Sequence, residues 1–211
     1  MINSKSKFAV VTDFDGTITT RDMGDAICLH FGAADRRDIE LSSVPGECVK
    51  HWMTKLFHKL KQNPGEVHRF VLKTAKARPG FAQAARALSK AGIPFEIASG
   101  GLNLYIEPLL DKWKTGKIKI FCGKAVFGKN GYIVRYPWKM KVDEMKASRV
   151  RYYQKQGRRV VFCGDASSDF KAAKTADIVF AHGKLMKMCR EAGIKTAPLK
   201  NFADVKRAAG I

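Results

Sequence analysis

No stretch of the sequence stays apolar for anything near the roughly 18 residues that cross a membrane, and the polar start, Met1 to Lys7, leads into no signal-type apolar run. Neither membrane insertion nor secretion is expected, and a cytoplasmic location is. The five cysteines, Cys28, Cys48, Cys122, Cys163 and Cys189, never fall into a CxxC spacing. An odd, scattered set argues against both a disulfide framework and a zinc site. Acidic residues are scarce: 19 Asp and Glu stand against 39 Lys and Arg, for a formal net charge of +20. Such a field attracts anions of any kind, phosphorylated metabolites and nucleic acids alike. The basic residues are spread along the whole chain, however, and zinc-finger, RGG and RNP-like aromatic signatures are missing, which argues against specific nucleic-acid binding. Internal repeats and low-complexity segments are absent too. A hydrophobic share of 45% and a charged share of 27% exclude general disorder.

What is present fits one substantial core with an insertion, since the chain has 211 residues. Apolar Phe8 to Val11 run straight into TDFDGT, the pattern of a buried parallel strand ending in a polar turn. From residue 21 to residue 77 the spacing turns helical: Met23, Ile27 and Phe31 share a face, as do Val49, Trp52, Met53, Leu56 and Leu60, and Val67, Phe70 and Val71. Arg78-Pro79-Gly80 breaks that pattern. Strands are then expected at Phe95–Ala98, Ile118–Cys122, Val160–Cys163 and Ile178–Ala181, with helices between them and two more closing the chain. Asn130-Gly131 supplies the positive φ angles of a hairpin turn. The expected fold is α/β: a Rossmann-like parallel sheet with helices on both faces, interrupted by a small helical unit. Such sheets bind ligands at the carboxyl ends of their strands.

Asp13 and Asp15 follow the first strand two residues apart, a spacing that can direct both carboxyls into one site, one attacking while the other moves a proton. A solvated acidic turn closed by Gly16 is the alternative. Gly164-Asp165-Ala166-Ser167-Ser168-Asp169 places more carboxylates after a second apolar strand, although Asp165 or Ser167 could instead cap the next helix. Together the two clusters offer the hard oxygen ligands that Mg²⁺ prefers. Ser99-Gly100-Gly101 ends a third strand where backbone N–H groups can approach an anion. Lys146, on the helix before the second acidic strand, could help hold a phosphoryl group.

In this order the four elements resemble the haloacid dehalogenase superfamily of phosphohydrolases over essentially the whole chain. DFDGT is similar to its first motif, which implies Asp13 as nucleophile and Asp15 as the acid/base, with Thr17 orienting the pair and contributing to phosphate binding. Ser99 with Gly100 matches the phosphate-binding second motif, Lys146 the third, and GDASSD the fourth. The resemblance implies a Mg²⁺ site made by Asp13, the Asp15 carbonyl and Asp165, with Asp169 just behind as a ligand through water or a partner of Lys146. A helical insertion after the first motif resembles the small cap of the phosphoserine-phosphatase branch, which implies a cap over 21–77 and a catalytic core over 1–20 and 78–211. SGGLNLYIEPLL, KASRVR and GDASSDFKAAKTADIVFA are similar to the methionine-salvage phosphatases that act on hydroxy-keto-methylthiopentenyl phosphate, although a cysteine-rich insertion of that group is absent before Lys146. Asp22 lies near the amino-group-binding acid of phosphoserine phosphatases, but Trp52 falls near their substrate-binding arginine.

The expected function is a Mg²⁺-dependent phosphomonoesterase that hydrolyses a small phosphorylated metabolite through an aspartyl phosphate, as a monomer or homodimer. The alternatives are a phosphotransferase or mutase using the same intermediate, and a basic nucleic-acid-binding protein with a vestigial site. Trp52 and His30 sit on or beside apolar helical stripes, and packing is the expected role for both.

Overall fold

The computed structural model describes residues 7–42 and 49–211, so residues 1–6 and Cys48 lie outside the described part. The chain opens with β1 (Phe8–Thr12) and continues through α1 (Met23–His30), α2 (Arg36–Ser42), α3 (Val49–Lys59), α4 (Pro64–Thr74) and α5 (Phe81–Lys90). Next come β2 (Phe95–Leu102), α6 (Asn103–Lys112), β3 (Lys119–Gly128), β4 (Gly131–Arg135) and α7 (Val142–Gln154). It closes with β5 (Arg159–Gly164), α8 (Phe170–Thr175), β6 (Ile178–Ala181), α9 (Gly183–Glu191), β7 (Ala197–Pro198) and α10 (Phe202–Ala208).

The strands form one seven-stranded sheet in the order β4-β3-β2-β1-β5-β6-β7. Every pairing is parallel except the β3–β4 hairpin, which turns at Asn130-Gly131 as its sequence requires. Only β7, two residues long and containing a proline, lacks a strand signature in the sequence. Period-two alternation divides the sheet between two apolar layers. Val10, Ile97 and Val161 face a cluster with α5, α6 and α10, whereas Val11, Ala98 and Phe162 face α7, α8 and α9. Val10 and Val11 are fully buried, which contributes roughly 1.5–3 kcal/mol each.

β1 is the centre of the design. From it the chain moves to β2 on one side and later to β5 on the other, so the sheet reverses direction around the carboxyl end of β1. That topological switch point is where an open α/β sheet leaves a crevice.

Helices α1, α3 and α4 pack their apolar faces into the same cluster as α5 and α6, through Met23, Ile27, Leu56, Phe57, Val67 and Val71. Asn63 and Glu66 form a reciprocal capping box at the start of α4, with Pro64 in its first turn. The end of α3 rests on the β3–β4 turn: Lys61 Nζ donates to the Asn130 carbonyl (2.9 Å) and Tyr132 Oη to that of Gln62 (3.0 Å). A side chain at Gly131, whose φ is 115°, would collide with the His58 carbonyl. These contacts hold α3 above the carboxyl ends of the strands. No helix among the described residues is long and apolar enough to cross a membrane.

Candidate active site

Asp13 leaves the end of β1 with its N–H donated to the Cys163 carbonyl of β5 (2.9 Å), which ties the first acidic turn to the strand that carries the second. Its carboxylate meets Lys146 Nζ at 2.9 Å, and the same ammonium lies 2.7 Å from Asp169 Oδ1 and 3.2 Å from Ser168 Oγ. Lys146 is only 2% exposed, so this is a buried charge cluster. Burial alone would lower the Lys146 pKa, but Asp13 and Asp169 outweigh it and hold the ammonium charged. Asp169 is committed on both oxygens, because Oδ2 accepts the N–H groups of Asp165 (3.1 Å) and Ala166 (3.0 Å). It is the partner of Lys146 and the brace of the Asp165 loop.

Oxygens of Asp13, Asp165 and Asp169 lie within 4.8 Å of one another, close enough to hold a metal ion. One ammonium among three carboxylates leaves an excess of negative charge. Burial, opposed by Lys146, raises Asp13 well above the usual carboxylate range. Burial and the nearby Asp169 push Asp165 up to about 7. A divalent cation would relieve that excess, and an all-carboxylate donor set suits a hard ion.

Asp15 faces the same crevice. Its Oδ1 accepts the N–H of Met23 (2.9 Å) at the start of α1, and its Oδ2 accepts the hydroxyl of Tyr105 (2.7 Å) from α6. Burial, with Asp22 and Asp13 adding repulsion, lifts its pKa well above the usual range.

Thr17 is fully buried, and its hydroxyl donates to Asp165 Oδ1 (2.7 Å), the carboxylate across the crevice. Ser99 and Gly100 line the crevice as expected, with Ser99 Oγ accepting the Gly101 N–H (2.9 Å).

Arg78, read in the sequence only as part of a helix break, reaches under the first acidic turn. Its guanidinium donates to the carbonyls of Thr17 (2.7 Å), Gly16 (2.7 Å) and Leu199 (3.1 Å). This buried cation pins the loop by main-chain contacts alone, and burial lowers its pKa.

Asp13, Asp15, Ser99, Gly100, Lys146 and Asp165 border a cavity of about 520 Å³. Val49, Trp52, Met53 and Leu56 of α3, with Val142 and Met188, supply its apolar wall. Trp52 packs against the core cluster and also borders the cavity, whereas His30 stacks on Phe70 with ring centroids 4.1 Å apart. Asp22 and Asp25 add a second acidic edge. Asp22 caps α1 by accepting the Asp25 N–H (2.9 Å) and borders the cavity as an exposed residue. Burial and Asp22 push Asp25 up to about 7. Lys141 and Lys184 also line the space, and no arginine is among the lining residues described.

Comparison with known proteins agrees with this geometry. A family model described as haloacid dehalogenase-like hydrolase matches residues 10–174. The chain is 31% identical over 206 residues to the bifunctional enzyme MtnB/MtnX of Bacillus licheniformis; the match takes in 94% of the chain and spans about half (48%) of that protein. It is also 31% identical to the 2-hydroxy-3-keto-5-methylthiopentenyl-1-phosphate phosphatase of Lysinibacillus sphaericus, over 92% of the chain and 90% of that enzyme. In fold it is similar to a substrate-bound phosphoserine phosphatase, with a TM-score of 0.76, 18% identity, and coverage of 97% of this chain and 99% of the other.

Proposed function

Since the chain belongs to the haloacid dehalogenase-like hydrolases, we propose that it is a phosphatase that cleaves the phosphomonoester of a small metabolite through an aspartyl phosphate on Asp13. The observation that carries this reading is the pairing of Asp13 with Lys146 at the floor of a crevice that Asp15 also faces.

Lys146, 2.9 Å from Asp13, opposes the upward push of burial on that carboxyl and offers positive charge to the phosphoryl oxygens. The Ser99 hydroxyl and the strand end at Gly100 approach those oxygens from the β2 side. A carboxylate oxygen of Asp13 forms a bond to phosphorus as the ester P–O bond breaks, and the proton of Asp15 passes to the departing alkoxide. Water then attacks the phosphorus of the acyl phosphate and gives its proton to Asp15. Asp13 is released as a carboxylate, together with inorganic phosphate. The upward shift of Asp15 suits the first step, because it moves the carboxyl towards the protonated form that a general acid needs.

The donor set fits Mg²⁺, which Asp13, Asp165 and the main-chain carbonyl of Asp15 would hold. When bound, it supplies Lewis-acid neutralisation of the phosphate charge. Residues 21–77 would act as a cap that excludes water, over a catalytic core of 1–20 and 78–211.

For the substrate, the first candidate is 2-hydroxy-3-keto-5-methylthiopentenyl 1-phosphate, the ester named for the Lysinibacillus sphaericus relative. Trp52, Met53, Leu56 and Met188 form an apolar wall suited to a thioether tail, and the described lining offers no arginine for a carboxylate such as that of phosphoserine. Assay of phosphate release from a panel of phosphorylated metabolites with Mg²⁺ tests this. Preference for the thioether ester over phosphoserine is the expected result, and preference for phosphoserine would overturn the substrate assignment.

A further inference from the structure

We propose that Tyr105 is a positioning residue for Asp15, holding its carboxyl in the orientation from which it meets the leaving group. The inference rests on the phosphatase reading above. The Met23 N–H donates to Oδ1 (2.9 Å) from the start of α1. The Tyr105 hydroxyl donates to Oδ2 (2.7 Å) from α6, so the carboxyl is held from both sides. A hydroxyl can donate or accept. It serves Asp15 equally as an acid in the first step and as a base in the second, which no apolar or donor-only neighbour would do.

The ring that carries this hydroxyl is held tightly. Tyr105 is fully buried, with Phe14 and Phe57 at centroid distances of 6.3 and 6.4 Å, and Phe14 is the residue between the two aspartates. A side chain at Gly101 would collide with both Tyr105 Oη and Asp15 Oδ2, so the bare glycine makes their contact possible. Tyr105 reaches the site through its hydroxyl, among the residues that line the cavity.

Tyr105→Phe keeps the ring packing and removes only the hydroxyl. The test compares kcat/KM of wild type and Tyr105→Phe for p-nitrophenyl phosphate, whose leaving anion needs little protonation, and for benzyl phosphate, whose alkoxide needs a proton. This ratio reports the first displacement alone, so the later hydrolysis of the aspartyl phosphate does not enter. The loss with benzyl phosphate is expected to exceed the loss with p-nitrophenyl phosphate by about tenfold or more, within the range of general-acid contributions. Equal losses on both esters, or none on either, would overturn the proposal. A wild-type protein that releases phosphate from neither ester would sink the phosphatase reading itself, and this inference with it.

Discussion

Thr17 and Asp165 are separated by 148 positions in the chain, yet the threonine hydroxyl donates to the aspartate carboxylate across 2.7 Å. The bond joins the loop after β1 to the loop after β5 and orients a carboxylate proposed to face the metal. Groups that hold a ligand from behind typically change metal affinity by about 10–100-fold when removed. Thr17→Val should therefore raise the Mg²⁺ concentration for half-maximal activity by about tenfold, with smaller loss at saturating Mg²⁺. EDTA should stop wild-type turnover, and Mg²⁺ should restore it. An unchanged Mg²⁺ titration in Thr17→Val would remove this role.

Lys146 is the common cation of Asp13 and Asp169. Removing one partner from a buried ionic cluster leaves charge uncompensated, at a cost of about 3–5 kcal/mol. Lys146→Met should lose stability of that order in metal-free urea denaturation and lose activity even when folded. A variant as stable and as active as wild type would show that the cluster is not held as described.

The convergence of Asp13, Asp15, Ser99, Lys146 and Asp165 was legible in the sequence because each follows or precedes an apolar strand, and strand ends gather at one edge. Tyr105 was not, since a tyrosine at helical spacing among Leu104, Ile106 and Leu109 looks like any core aromatic. Its partner, Asp15, lies 90 positions away. Arg78 was hidden in the same way: beside Pro79 and Gly80 it marks a chain break, and nothing local announces that its guanidinium runs beneath Gly16 and Thr17. The bond from Thr17 to Asp165 was not legible either, because it depends on how β5 lies against β1. The cavity-facing side of Trp52 could not be read from periodicity, which gives a helix an apolar face without saying what that face meets.

Arg78 donates to three main-chain carbonyls and has no carboxylate partner in those contacts. Arg78→Lys keeps the charge but loses the planar fork, leaving at least one buried carbonyl unpaired at about 1–3 kcal/mol. Thermal denaturation should show a lower Tm than wild type. A Tm at or above wild type would indicate that the loop is held by other means.

Burial raises Asp13, Asp15 and Asp165, the last to about 7, whereas an unfolded aspartate titrates near about 4. Between those values the folded chain holds more protons than the unfolded one, so metal-free stability should fall as pH rises from about 4 towards 7. Mg²⁺ should recover more stability at neutral pH than in acid, since only ionised carboxylates bind it. Urea titrations in EDTA across this window check the sign. Stability in EDTA that climbs over the same interval would contradict the electrostatic description of the site.

The central claim is that a carboxylate oxygen of Asp13 becomes covalently phosphorylated. Rapid acid quench during turnover, followed by peptide mass spectrometry, tests it most directly. The account predicts a base-labile phosphoryl group on the peptide carrying Asp13, and a folded Asp13→Asn variant with neither label nor turnover. Steady hydrolysis by Asp13→Asn, or a phosphoryl group trapped on any other residue, would contradict it.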